Sequence, residues 1–426
     1  MIKFALKGGE AESPPAETAA ADLHVAPVPR ISIQTFCETA ETAAAMQAAG
    51  EDRRMAKAHL KIQMGGIAAA IEAYRASATP NVVIIETDGR GEGLLAGLDS
   101  LAEVCDAGTR VVVVGKLNDI VLYREMVRRG VSDYLIAPVE PVDLIRAVSG
   151  LFHAADAKPV GRTLAVVGAK GGVGSSTIAH NIAWAIARDV GLDAVVADLD
   201  LPFGTAGLDF NQDPPQGIAD AVMSPERIDT AFVDRLLSKC TDQLSLLAAP
   251  ATLDKVYDFG TEAFDSIYDV LRSTVPSIVL DVPHMWTGWT KRALVGADDI
   301  LIVAAPDLAN LRNIKNLIDL LRAARPNDNR PQYCLNMVGV PKRPEIKSAD
   351  FAKALELEPV AVIPFEPQLF GTAANHGQMV AEVSSGHKAA EIFRSIARTV
   401  NGRTETKRAR SSLLTPLIEK LRRRQA

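Results

Sequence analysis

Short apolar runs alternating with amphipathic stretches recur along most of this 426-residue chain. Ile31 to Phe36 alternates with the period of a strand, and Glu41 to Ala49 carries a helical pattern. Leu60 to Met64 is a weaker strand, followed by a helical stretch from Ile67 to Tyr74. Asn81 to Glu86 and Arg110 to Gly115 read as buried strands, and a helix is expected near Asp119 to Arg129. Val131 to Val139 closes this series, with a last helix from Pro141 to Phe152. A second series begins after a break, with strands at 163–168, 193–198, 244–249, 277–281, 299–305, 332–338 and 359–364. Long helical stretches separate them. Leu308 to Ala324, for example, places Leu311, Ile314, Leu317, Ile318 and Leu321 on one stripe. Strands alternating with helices predict two α/β units with parallel sheets, the second doubly wound.

The breaks divide the chain. Residues 1–30 form a lead-in whose 5–30 stretch, rich in Ala, Pro, Glu and Gly, is expected to be disordered. The first domain is placed at 31–153, a linker at 154–162 with Pro159 and Gly161, the second domain at 163–400, and a tail at 401–426. Four scattered cysteines, Cys37, Cys105, Cys240 and Cys334, suggest neither a zinc cluster nor a disulfide framework, and point to a reducing, cytoplasmic setting. The amino terminus lacks the apolar core of a signal peptide, and no run approaches the roughly 20 residues that span a bilayer. The net charge of −6 is uneven. The tail holds eight basic residues against Glu405 and Glu419, a charge of +6, so the other 400 residues carry −12. A basic tail on an acidic body predicts an anionic partner for the tail alone.

The candidate chemistry centres on 162–181. An apolar run, Leu164 to Val167, ends in glycine and passes through Lys170-Gly171-Gly172-Val173-Gly174-Ser175-Ser176-Thr177 into a helical pattern. Glycines let the backbone curl and bring its N–H groups against phosphate oxygens, and the helix beginning near Ser175 aims its positive end at the same place. The bland alternative is a glycine-rich turn in an ordinary sheet. In a G-x-x-x-x-G-K-[ST] loop a lysine follows the last glycine and reaches the β/γ-phosphates. Here that position is Ser175, and Lys170 stands at the front of the loop.

This spelling resembles the deviant phosphate loop of the MinD/ParA ATPases. The resemblance implies ATP with Mg²⁺ in the loop of Gly171, Gly172, Val173, Gly174 and Ser175, Lys170 reaching across a dimer to the partner's nucleotide, Ser176 as Mg²⁺ ligand, and Thr177 as a phosphate contact. With Ser175 in place of the second lysine, it implies nucleotide binding with weak or absent hydrolysis. Val195 to Asp200 resembles the family's first switch, making Asp200 the carboxylate that orients the attacking water. Asp198, taken alone, reads as a solvated acid at a strand end. Ser277 to Pro283 resembles the family's acidic strand, with Asp281 holding Mg²⁺ through water. Trp286 and Trp289 follow at helical spacing, exposed for a partner or packed in the core. The Cys334–Val338 and Ala361–Glu366 segments resemble those around the base, which makes Asn336, Pro364 and Glu366 adenine-site candidates.

The first domain, especially Gly130 to Pro138, resembles a response-regulator receiver without its phosphorylation chemistry. Glu86 stands at the phosphoacceptor position, Ala137 replaces the lysine before the proline, Gly115 occupies the switch Ser/Thr position, and no acidic pair closes the first strand. A flavodoxin-like pseudo-receiver used for docking or dimerisation is expected.

The two domains in this order resemble the CpaE/TadZ pilus-assembly family over about residues 31–400. The resemblance implies a cytoplasmic, polar localisation factor for a Flp/Tad pilus secretion system. It implies an ATP-sandwich homodimer that recruits the machinery, including its secretion ATPase. In the tail, Thr415-Pro416 could start a short helix with Leu417, Ile418 and Leu421 on one face. MinD proteins carry a membrane-binding helix there, so peripheral contact with the inner membrane is one reading and a disordered basic tail the other. A partition ATPase binding DNA nonspecifically is the alternative. The acidic body argues against it, and no specific nucleic acid is expected. An active MinD- or flagellar-type positioning ATPase is opposed by Ser175. An electron carrier with a bridging cluster is disfavoured because no cysteine follows the Asp281 strand.

Overall fold

The computed structural model describes residues 25–89, 91–152 and 160–401. The first domain holds β1 (Ser32–Cys37), α1 (Ala40–Gly50), β2 (His59–Met64), α2 (Gly66–Tyr74), β3 (Val82–Thr87), α3 (Gly91–Ala102), β4 (Arg110–Gly115), α4 (Ile120–Arg128), β5 (Asp133–Ile136) and α5 (Pro141–Phe152). All five strands are parallel, in the order β2-β1-β3-β4-β5. Every residue of central β3 is buried, as its unbroken apolar run requires when helices cover both faces. Residues 25–30 depart from the expected disorder. Val25 and Val28 are buried in the domain core, Val28 N donates to Arg54 O at 2.8 Å, and Ser149 Oγ donates to Ala26 O at 2.8 Å. Two apolar side chains among prolines suffice to dock the segment. The rest of the lead-in lies outside the described residues.

The second domain is an eight-stranded sheet of order β13-β12-β11-β6-β10-β7-β9-β8. Its strands are β6 (Arg162–Gly168), β7 (Ala194–Asp198), β8 (Ser238–Lys239), β9 (Leu244–Leu247), β10 (Ser277–Val282), β11 (Asp299–Ala304), β12 (Gln332–Val338) and β13 (Ala361–Pro364). Only β8, the two-residue edge strand, runs antiparallel to its neighbour. Along β6 the side chains alternate between two cores. Ala165 and Val167 pack to one side, and Leu164 and Val166 to the other beneath α6 (Ser175–Ala185). The fold is therefore a flavodoxin-like domain followed by a doubly wound, mostly parallel P-loop domain.

The domains meet through a buried polar seam. Arg53 binds Asp328 Oδ2 at 2.7 Å, Asp298 Oδ1 at 3.3 Å and Gly296 O at 2.8 Å. Arg54 pairs with Asp52 and Asp328, and Asn327 Nδ2 donates to Asp52 Oδ2 at 3.0 Å. Of the expected linker, 154–159 lies outside the described residues, as does residue 153, and Gly161 N already donates to Arg272 O of the second domain at 2.7 Å. The tail from residue 402 onward, including the Thr415–Leu421 segment, also lies outside them. Among the described residues no helix is long and apolar enough to cross a membrane.

Candidate functional site

The site lies at the carboxyl ends of β6, β7 and β10, the edge of an open parallel sheet where ligands bind. After β6 the chain makes a glycine loop with φ of +79° at Gly172 and +84° at Gly174. Gly174 immediately precedes α6, and a Cβ there would meet Asn336 Nδ2 at 2.7 Å, so both conformation and space demand glycine. Around Gly171 and Gly172 the space is open, leaving the cradle free to receive an anion at the start of an eleven-residue helix. Lys170 is exposed at the front of the loop. Ser175 Oγ is tucked back, 3.2 Å from where a Gly168 Cβ would stand. Ser176 and Thr177 are half-buried in the first turn of α6.

Other elements grip the loop. Asn336 Nδ2 donates to Val173 O, His284 Nδ1 to Gly168 O and Asn313 Nδ2 to Ala169 O, each at 2.8 Å. Asn336 was expected at the base, and its amide also holds the loop. The adenine-site candidates do converge. Asn336, Pro364 and Glu366 line one cleft of about 110 Å³ with Gly174, Thr177 and Phe370.

Behind the loop lies a carboxylate cluster. Asp281 on β10 is in register with Asp198 on β7, so the two acids sit side by side. Asp198 is completely buried, which corrects the expectation of a solvated acid. Its Oδ1 accepts from Asp200 N and its Oδ2 from Ala206 N, both at 3.1 Å. Burial, reinforced by the Asp281 charge, pushes the Asp198 carboxyl up to about 7. Asp200 is half-buried, also raised by burial, and accepts from Phe203 N at 3.3 Å. His180 on α6, unremarkable in the sequence, completes the cluster. Its Nδ1 contacts Asp209 Oδ2 at 2.7 Å, and its Nε2 faces Asp281 Oδ2 at 3.3 Å, off the hydrogen-bond line. Burial disfavours the imidazolium, yet Asp209 and Asp281 outweigh it and raise His180 to about 10. Asp209 lies 29 residues after His180 and Asp281 another 72, too far apart for any motif to join them.

The two tryptophans separate. Trp289 is buried 4.9 Å from the Phe264 ring, whereas Trp286 is half exposed beside exposed Met285. In the first domain, Glu86 is buried. Its Oε2 accepts from Glu38 N and Thr39 N at 2.7 and 2.8 Å, and its Oε1 from the Thr39 and Thr42 hydroxyls at 2.6 and 2.7 Å. Burial alone would raise this carboxyl, but the four hydrogen bonds hold it below the usual range. Tyr134 Oη fills the space beside Gly115, 2.5 Å from where a Cβ would project.

A glycine loop turning into a helix, flanked by acids on the adjacent strands of a doubly wound sheet, defines a P-loop domain of the MinD/ParA type. The MinD cell-division ATPase of Pyrococcus furiosus superposes on it with a TM-score of 0.51 at 21% identity, covering 57% of this chain and all of that one. The septum site-determining protein MinD of Synechocystis is 28% identical over 163 residues, which are 38% of this chain and 60% of that relative's length. A crystal structure of the pilus assembly protein CpaE from Caulobacter crescentus is 51% identical over 30% of this chain and 96% of that one, with a TM-score of 0.29. On that identity, not on the superposition, the chain belongs to the CpaE family. No family model matches the chain.

Proposed function

We propose that the chain is an ATP-binding localisation and assembly factor for a pilus secretion system, acting as a dimer closed around nucleotide at a cell pole. The observation that carries this reading is the division of labour in the loop, with Lys170 projecting into solvent and Ser175 tucked back. Gly171 to Thr177 would hold the phosphates, and the cleft of Asn336, Pro364 and Glu366 would take the base. The donor set suits Mg²⁺, with the Ser176 hydroxyl and the Asp281 carboxylate nearby. Among the described residues no three His, Cys, Asp or Glu side chains are arranged as a metal cage, and Mg²⁺ keeps most of its waters rather than requiring one. Bound Mg²⁺ would neutralise phosphate charge. Asp281 already faces His180, so His180 would hold that carboxylate in place. Asp200 would orient a water, and with Ser175 lacking an ammonium group, turnover would be slow. The alternative, a positioning ATPase with brisk turnover, requires the missing lysine.

Calorimetric titration tests the reading. Wild type should bind Mg-ATP saturably, Gly174→Val should not, and Ser175→Lys should hydrolyse faster than wild type. Failure of wild type to bind at millimolar Mg-ATP would overturn it. In this reading the secretion ATPase of the pilus machinery and the inner-membrane surface are candidate partners, the second through the basic tail.

A further inference from the structure

A cavity of about 460 Å³ opens between the two domains, lined by Tyr268, Arg272 and Leu280 of one domain and Val28, Arg54 and Ala56 of the other. Its size is that of a small-molecule site, and domain junctions are where such sites occur. Three donors in its wall have no partner among the described residues: Tyr268 Oη, Arg272 Nε and Arg54 Nε. Arg54 and Arg272 are 3% and 8% exposed, so water does not relieve them, and a buried donor left unpaired is costly.

The charge beneath the cavity is unbalanced in the same sense. Among the described residues, four guanidinium groups, of Arg53, Arg54, Arg272 and Arg325, share three carboxylates, of Asp52, Asp298 and Asp328. At the mouth, Asp265 is taken by Arg292 at 2.5 Å and Asp269 by Lys57, so neither acid is free to repel an anion. Lys291 stands beside them. The walls between are apolar, from Val28, Leu280, Ala293 and Ala297.

The geometry points to a binding site for a small organic anion, an acidic group on an apolar body, held between the pseudo-receiver and the P-loop domain. The acidic group accepts from Tyr268 Oη and the two Nε donors, and the apolar body fills the remainder. Because both domains line it, an occupant strengthens the seam that fixes the pseudo-receiver on its partner domain. The site shares no residue with the glycine loop, so it stands or falls independently of nucleotide binding.

The probe is 2-naphthoate, titrated into the full-length protein and followed by ligand-observed NMR, with neutral 2-methylnaphthalene as control. Saturable naphthoate binding is expected, at least tenfold tighter than the control. Ala56→Trp, which plugs the exposed mouth, should abolish it, and Tyr268→Phe, which removes one donor and keeps the ring, should weaken it about tenfold. Saturating Mg-ATP should leave binding intact. No saturable binding in the low millimolar range, equal binding of the neutral control, or undiminished binding to both variants would each overturn the proposal.

Discussion

Both domains place a buried carboxylate at the carboxyl end of a parallel strand, yet the two are treated in opposite ways. Glu86 is surrounded by donors, with two backbone N–H groups and two hydroxyls within 2.8 Å, and its carboxyl is held low. Asp198 lies beside a second acid, Asp281, and its carboxyl is raised to about 7. The first arrangement is closed, because a satisfied carboxylate that anchors the start of α1 has no lone pair left for chemistry. The second crowds two acids, compensated in part by His180, at the edge where a cation would bind. That contrast separates two sheets of similar architecture and makes the second, with its crowded acids, the candidate for chemistry.

The contrast can be broken at several points. Removing the one cation of the crowded cluster, with His180→Ala, should cost about 3–5 kcal/mol in urea unfolding, because it leaves buried acids uncompensated. Mg²⁺ should restore part of that loss if Asp281 can bind it. Glu86→Ala orphans four donors and should cost about 3 kcal/mol while leaving Mg-ATP affinity unchanged. A shift in ATP affinity there would mean the two acidic sites are not separate. Gly115→Ala drives a Cβ against Tyr134 Oη, which is fixed by hydrogen bonds to Leu117 N at 3.2 Å and Leu117 O at 2.9 Å. Destabilisation of about 1–2 kcal/mol is expected, confirming that the space beside the receiver-like acid is filled.

The pH dependence sharpens the point. A carboxyl held below its unfolded value of 4.5 contributes stability above that pH and loses it as the pH falls through the folded value. The stability gap between wild type and Glu86→Gln should therefore be constant above about pH 5.5 and narrow below 4.5, as read from urea midpoints. The smallest effect is expected at Trp286, which is half exposed. Trp286→Ala should change monomer stability by less than about 0.5 kcal/mol, so any larger consequence belongs to an interface.

Much of this architecture is legible in the sequence because apolar runs and glycines act locally. The strands at Arg110–Gly115 and Gln332–Val338 and the helices at Pro141–Phe152 and Leu308–Ala324 fall where periodicity puts them. The glycine loop is legible for the same reason, since its conformation depends on its own residues. What escapes notice is set by distance. His180 looks like a stray polar residue in an apolar helix until Asp209 and Asp281 are folded against it. The seam joining Arg53 and Arg54 to Asp328 spans more than 270 residues, and two buried valines order a stretch whose composition reads as disorder. Strand β8, with two residues, has no period to detect.

The central claim is that nucleotide in the glycine loop joins two copies of the chain through Lys170. Light-scattering mass after size exclusion, with and without Mg-ATP, on wild type and Lys170→Ala, tests it most directly. The account predicts that wild type with Mg-ATP is a dimer and the other three samples are monomers. A single mass in all four would contradict it.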